Sequence, residues 1–306
     1  MTRSLKTLMD ITSDEMTEIL SRAKELKARI KRREPIDSLK NRVVGMLFEK
    51  PSTRTRASFE SAISRLGASA VYMPSSDLQL KRGEPVKDTA RMFGGYFDCL
   101  VARVYKHKTI QELAEYSGIP IINALCDLAH PTQAICDLLT VLEAKGDLKG
   151  LKLTYVGDGN NVCHSLLLAC AHTGMNMTAA CPNGFFPSDD FLSSAKEIAN
   201  STGSTLEVIS DVRKASEDAD VLYTDTWVSM GEDDQKAEKM KIFAGYQINS
   251  DLMKIANKEA IAMHCLPAYR GCEITEEVME GPQSVIWQQG ENKMYAAIGV
   301  LDFLFG

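Results

Sequence analysis

The chain reads as an α/β protein of two similar-sized domains, each a mainly parallel sheet flanked by helices. Three observations predict this. Its 306 residues amount to about two domains of chain. Apolar runs of strand length alternate with stretches of helical period. The alternation begins again near residue 151, and no internal repeat or low-complexity segment is visible.

The elements follow in order. Thr12-Ser13-Asp14-Glu15 has the form of a capping box, with a carboxylate three residues after the hydroxyl. Met16, Ile19, Leu20, Ala23, Leu26 and Ile30 continue at helical spacing. That helix runs to the Lys31-Arg32-Arg33 cluster, where positive charge suits a helix C-terminus. Val43–Phe48 is a strand-length apolar run, and a polar loop from Glu49 leads to a helix holding Phe59, Ala62, Ile63 and Leu66. Strands are expected at Ala70–Met73, Cys99–Ala102 and Ile119–Ile122, with helices at Val86–Tyr96 and Ile110–Tyr116 between them. A domain boundary is expected around Thr132–Gly150, inside or just after a helix holding Leu138, Leu139 and Leu142. Leu151–Val156 then forms a strand ending in Gly157-Asp158-Gly159-Asn160-Asn161, and a helix follows over Val162–His172. Further strands are expected at Met177–Cys181, Leu206–Ile209, Val221–Thr224 and Ile261–His264. A final helix, Asn292–Leu304, is apolar on much of its surface and must pack against something.

Composition narrows the function. With 35 basic and 41 acidic residues the formal charge is −6, which argues against a nucleic-acid or membrane-surface role. The eight cysteines are scattered, mostly in apolar stretches, and suggest neither a disulfide framework nor a zinc site. The N-terminus lacks an apolar signal region, and no run reaches the ~18 apolar residues of a membrane span. The expected location is the cytoplasm.

Four loops at strand ends, where open α/β sheets hold ligands, carry the chemistry. In Ser52-Thr53-Arg54-Thr55-Arg56, hydroxyls, guanidinium groups and free N–H groups converge at a helix N-terminus, which makes a phosphate site. His130-Pro131-Thr132-Gln133 starts a helix with two side chains able to engage a carbonyl or amide, although taken alone it reads as an ordinary cap. Gly157-Asp158-Gly159 begins a dinucleotide fingerprint but lacks its full glycine pattern, so a polar turn for a small substrate fits better. Last come Asp225 to Gly231, with a carboxylate suited to an ammonium group, and His264-Cys265-Leu266-Pro267-Ala268. Neighbouring strand residues face opposite ways, so His264 is not expected to serve as a base for Cys265. No metal is expected at this pair, which lacks spaced partner ligands.

Together these motifs resemble the aspartate and ornithine carbamoyltransferase family. Phe48 to Arg56 and His130 to Gln133 look like its carbamoyl-phosphate signatures, while Asp225 to Gly231 and His264 to Pro267 look like the ornithine branch. The resemblance implies a carbamoyl-phosphate-binding domain over residues 1–134, joined by a C-terminal helix, 288–306, that returns to it. An ornithine-binding domain would cover 135–287. It also implies a homotrimer, or a multiple of trimers, with sites between subunits.

Residue by residue, the family pattern assigns Ser52, Thr53, Arg54 and Thr55 to the phosphate and Arg103 to phosphate and carbonyl oxygens. His130 and Gln133 match groups at the carbamoyl end, and Gln79 matches a residue lent by a neighbouring subunit. Asn161, Asp225, Ser229 and Met230 match ornithine contacts; Cys265 and Leu266 match a loop touching both substrates. Arg54, Arg103, His130 and Cys265 are the expected catalytic residues. Lys293, in Glu291-Asn292-Lys293, stands where the family commonly has an arginine that grips carbamoyl phosphate, and Lys81 stands where glycine is frequent. Lysine keeps the charge and loses the two-pronged geometry.

The expected reaction moves the carbamoyl group of carbamoyl phosphate to the δ-amine of L-ornithine, giving citrulline and phosphate, with no cofactor. Three other readings stay open from sequence: a carbamoyltransferase for putrescine or another amine, a catalytically silent anion-binding oligomeric relative, and a nicotinamide-dependent dehydrogenase.

Overall fold

The computed structural model describes residues 3–228 and 233–306. The chain divides into two compact units: Met1–Leu139 together with Asn292–Gly306, and Thr140–Glu291.

The first unit contains α1 (Ser13–Lys31), β1 (Val43–Phe48), α2 (Thr53–Arg65), β2 (Ser69–Pro74), α3 (Val86–Tyr96), β3 (Cys99–Arg103), α4 (His107–Ser117), β4 (Ile121–Leu125) and the start of α5 (Pro131–Lys145). The capping box at Thr12 is present in both directions: Glu15 N–H donates to Thr12 Oγ1 at 3.3 Å, and Thr12 N–H to Glu15 Oε2 at 2.8 Å. Met16, Ile19, Leu20, Ala23 and Leu26 are buried along one face of α1, as their spacing requires. The sheet is parallel throughout, in the order β2-β1-β3-β4. The chain therefore leaves β1 on one side and returns on the other, so β1 and β3 flank the switch point where such sheets hold ligands. Phe48 pairs with Arg103 across that point, which sets the loop after β1 beside the end of β3.

The second unit contains β5 (Lys152–Val156), α6 (Asn161–Thr173), β6 (Asn176–Ala180), α7 (Asp189–Thr202), β7 (Leu206–Ile209), α8 (Val212–Ser216), β8 (Val221–Thr224), α9 (Lys236–Ile242), α10 (Ser250–Ile255), β9 (Ile261–His264) and α11 (Glu276–Met279). Its sheet is again parallel, in the order β7-β6-β5-β8-β9. Val156 pairs with Thr224, and Thr224 with His264, so three chain segments leave the sheet side by side. A core of Val156, Leu222, Ile248, Ala262, Ile274 and Ile286, among others, supports that edge from beneath.

Two elements depart from the sequence expectation. The strand expected at Ile119–Ile122 lies at Ile121–Leu125. Pro120 has no N–H for a ladder, and the N-terminal segment instead pairs at Leu5 with Ile122. The last helix, α12, covers Ile286–Phe305 and so starts six residues before Asn292. Gly290 lies inside it, and a helix-interior glycine, which costs about 1 kcal/mol, hides the start from a sequence reading. From Asn292 onwards α12 belongs to the first unit. There Gly299 lets it cross α1 at backbone distance: a Cβ at Gly299 would lie 2.7 Å from Ala23 Cβ and 2.8 Å from the Ile19 carbonyl oxygen. Among the described residues no helix is long and apolar enough to cross a membrane.

Candidate active site

In the first unit the site grows from the start of α2. Ser52 is the N-cap, its hydroxyl accepting from Thr55 N–H at 3.3 Å. The N–H groups of Thr53 and Arg54 have no intrahelical acceptor, as at every helix start, and the dipole makes this end positive. Thr53 and Arg54 are exposed, while Thr55 is buried. Arg103, buried at the end of β3, donates from Nη1 to Thr55 Oγ1 at 3.3 Å. Arg56, the other arginine of the alternation, is committed elsewhere: it stacks over Tyr72 at 3.6 Å and bonds Glu60 at 3.0 Å.

A small cavity in this unit is lined by Thr55, Ser58, Phe59, His130, Gln133 and Lys293, with Thr132 beside them. Burial holds the His130 imidazole well below the ordinary histidine value, and the charges of Lys293 and Arg103 push it the same way. The ring is therefore neutral near pH 7. Gln133 is gripped from both ends of its amide. Lys293 Nζ donates to its Oε1, and its Nε2 donates to buried Asp137 at 2.7 Å. A cation on one side and a carboxylate on the other leave one orientation for that amide. Gln79 is not among the lining residues; it is exposed on a short 3-10 turn, where Arg82 donates to it at 3.4 Å.

The second unit brings together the turn after β5 and the ends of β8 and β9. Asp225, half-buried, is the hub. Its Oδ1 accepts from the Cys265 thiol at 2.9 Å, and its Oδ2 accepts from Asn160 Nδ2 at 2.9 Å. Asn160 caps α6, its Oδ1 accepting from the N–H groups of Val162 and Cys163, while Asn161 is the first helical residue. Next to Cys265, His264 is fully buried. Its Nδ1 accepts from Leu266 N–H at 2.8 Å, so Nε2 carries the ring proton and meets Glu273 Oε1 at 3.0 Å. Both side chains of that pair are essentially inaccessible, at 0% and 1% exposure. Leu266 holds a left-handed conformation, φ 57°, which a non-glycine residue adopts at a cost of roughly 1–2 kcal/mol. The bond from its N–H to His264 maintains it. Ser229 and Met230 lie outside the described residues.

Asp225, His264 and Cys265 each offer a ligand atom, all within 4.8 Å of one another, the kind of set that d-block cations use. Every one of those groups is already engaged in the hydrogen bonds just described, so a cation there would have to displace them. The dinucleotide reading of Gly157-Asp158-Gly159 meets a direct obstacle. A Cβ on Gly159 would lie 2.2 Å from Pro187 N and 2.6 Å from the Phe185 carbonyl oxygen. That glycine serves the close approach of its own chain, where a dinucleotide fold would admit a pyrophosphate.

Sequence reading passed over Asp137 and Glu273, and gave Asn160 and His264 no role of their own. Asp137 had a usable signal, since it follows Gln133 by one helical turn. Glu273 had none, lying nine residues beyond His264 in irregular chain.

Two family models match. That for the aspartate/ornithine carbamoyltransferase carbamoyl-P binding domain covers residues 3–143, and that for the Asp/Orn binding domain covers 149–304. The chain is 51% identical to an ornithine carbamoyltransferase of Methanosphaera stadtmanae, over 87% of this chain and 88% of that one. It is 46% identical to that of Methanosarcina acetivorans, over 97% of each. Among solved structures, ornithine carbamoyltransferase from Pyrococcus furiosus matches with a TM-score of 0.95 at 45% identity, over 98% of this chain and 96% of that one. The anabolic enzyme from Campylobacter jejuni gives 0.93 at 42%, over 99% of each. With both halves of the chain matched in order, this protein belongs to the aspartate/ornithine carbamoyltransferase family.

Proposed function

We propose that the protein transfers the carbamoyl group of carbamoyl phosphate to the δ-amine of L-ornithine, giving L-citrulline and phosphate, in arginine metabolism. The observation that carries this is the first-unit cavity, where neutral His130, Gln133 and Lys293 line one side of a helix N-terminus already joined to Arg103. Such a site neutralises a phosphate and offers separate donors to a carbonyl oxygen.

In this reading Ser52, Thr53, Arg54, Thr55 and Arg103 hold the phosphate, with Gln79 supplied by a neighbouring subunit. His130, Gln133 and Lys293 hold the carbamoyl end. Asp225 takes the α-ammonium of ornithine, with Asn161, Ser229 and Met230 as further contacts, and Cys265 and Leu266 complete the site. The neutral δ-amine attacks the carbonyl carbon, a tetrahedral oxyanion forms, and phosphate leaves with the C–O bond's electron pair. Donors aimed at that oxyanion are each worth about 2.7–4 kcal/mol, and holding both substrates contributes roughly 7–11 kcal/mol. The amine must shed a proton first, so turnover rises with pH as its neutral form appears.

The homotrimer, or a multiple of it, belongs to the same reading, supported by the exposed edge strand β2 with Val71 on its surface and by the exposure of Gln79. A cytoplasmic location is supported by all eight cysteines being free thiols, the state a reducing compartment maintains.

The test is citrulline formation from carbamoyl phosphate and ornithine, with putrescine and aspartate as parallel acceptors. Strong turnover with ornithine alone is the expected result. Preference for another acceptor would overturn the assignment of the second substrate. No turnover, with carbamoyl phosphate still bound, would leave a silent anion-binding relative.

A further inference from the structure

A second charged pair lies beside the Asp225 cluster and has no part in the reaction just described. Lys239, on α9, is buried to 5% exposure, and its Nζ meets Asp158 Oδ2 at 2.8 Å; Asp158 is 14% exposed. Burying a lysine is costly unless a paired charge and hydrogen bonds offset it. Lys239 also sits 5.6 Å from the centre of the Phe185 ring, and Phe185 packs edge-on against Phe243 just beyond α9. Asp158 belongs to the turn that carries Asn160, the donor to Asp225. Tyr155 ties the turn together, donating to the Asp158 carbonyl at 2.8 Å. The Asp158 and Asp225 carboxylates both act on that one phenol, whose pKa is pushed up first by burial and then by their fields. The two carboxylates thus share one small region, and their charges differ in fate. Asp158 is paired with a cation. Asp225 accepts from an amide, a thiol and the N–H of Thr226, all neutral, and among the described residues no cation is paired with it.

We infer that Lys239 is a specificity-determining residue, which cancels Asp158 so that the acceptor site presents a single net negative charge, at Asp225. This deepens the proposed function and rests on it. One negative charge suits an α-amino acid, whose ammonium it binds and whose carboxylate it tolerates nearby. Two would favour a diamine, which carries a second ammonium and no carboxylate. Lys239 therefore sets the choice between ornithine and an α,ω-diamine of the same length without touching either one.

The test compares the full-length enzyme with Lys239→Met, Lys239→Arg and Asp158→Asn, each assayed with ornithine and with putrescine at saturating carbamoyl phosphate. Lys239→Met should raise KM for ornithine at least tenfold, with kcat changed less. It should also raise the putrescine-to-ornithine ratio of kcat/KM by a similar factor, and Lys239→Arg should return both towards wild type. Asp158→Asn should move the ratio the opposite way, since it leaves an uncancelled cation that repels the diamine. A purely structural role would shift both variants in one direction, and that result, or an unchanged ratio in both, would overturn the inference. If Lys239→Met does not fold, Asp158→Asn alone still decides by the sign of its shift. A wild type that makes no citrulline would instead remove the functional reading, and this inference with it.

Discussion

The two candidate clusters, one in each unit, are built on opposite plans. In the first unit, positive and donor groups gather: a helix N-terminus, Arg103, Lys293, and an imidazole kept neutral by burial and by those cations. In the second unit, a carboxylate is surrounded by neutral donors, next to the buried His264–Glu273 pair. The first plan gathers Arg103, His130 and Lys293 from distant parts of the chain around one local helix start. The second depends on three strand ends aligned by sheet register.

Mutations separate these plans, and the largest effect should come from the donor side. Arg54→Ala, at an exposed position on α2, should lower kcat about 10²–10³-fold while the melting temperature stays close to wild type. Near-normal turnover in a folded variant would take Arg54 out of the mechanism and weaken the contrast. On the carboxylate side, Glu273→Gln should cost activity and stability together, with about 1–3 kcal/mol less in urea unfolding, because a buried charge-assisted bond becomes a neutral one. Unchanged stability would mean that the His264–Glu273 pair is not what holds the second cluster.

A pH experiment tests the neutral imidazole. Folded His130 resists protonation, while the unfolded chain takes up a proton near the ordinary histidine value of 6.5. The unfolded state then binds more protons as pH falls below that value, so stability is complete above it and declines beneath it. His130→Asn should flatten this slope without abolishing it, because burial also lowers His107. An identical slope in wild type and variant, read from urea midpoints across that range, would contradict a neutral His130. The smallest expected effect is Ser52→Ala. Loss of the α2 cap should cost about 1 kcal/mol of stability and only a modest part of activity, since the helix N–H groups remain.

What could be read from sequence is what lies close together in it. The Ser52–Arg56 loop and the capping box at Thr12 were legible because the interacting groups lie within one helical turn. Parallel sheets were legible from alternation, and both are parallel. The early start of α12 was hidden by Gly290, although Gln289 in that turn is fully buried and accepts from His264 N–H at 2.9 Å. A glutamine at such a position looks like a solvent-facing residue until its partner is known. Glu273 and Lys239 were invisible for the same reason: each matters through a residue reached only after the chain folds back.

The division of the chain also bears on the order in which the protein is made. Residues 140–291 interrupt a first unit whose last piece, Asn292–Gly306, comes after them. Lys293, which grips Gln133, and Gly299, which seats α12 on α1, both lie in that piece. During synthesis the first 139 residues leave the ribosome with the cavity at His130 and Gln133 unfinished, and it stays so until the whole second unit has been translated. A message cut short near its end would therefore disable the half of the molecule that was made first.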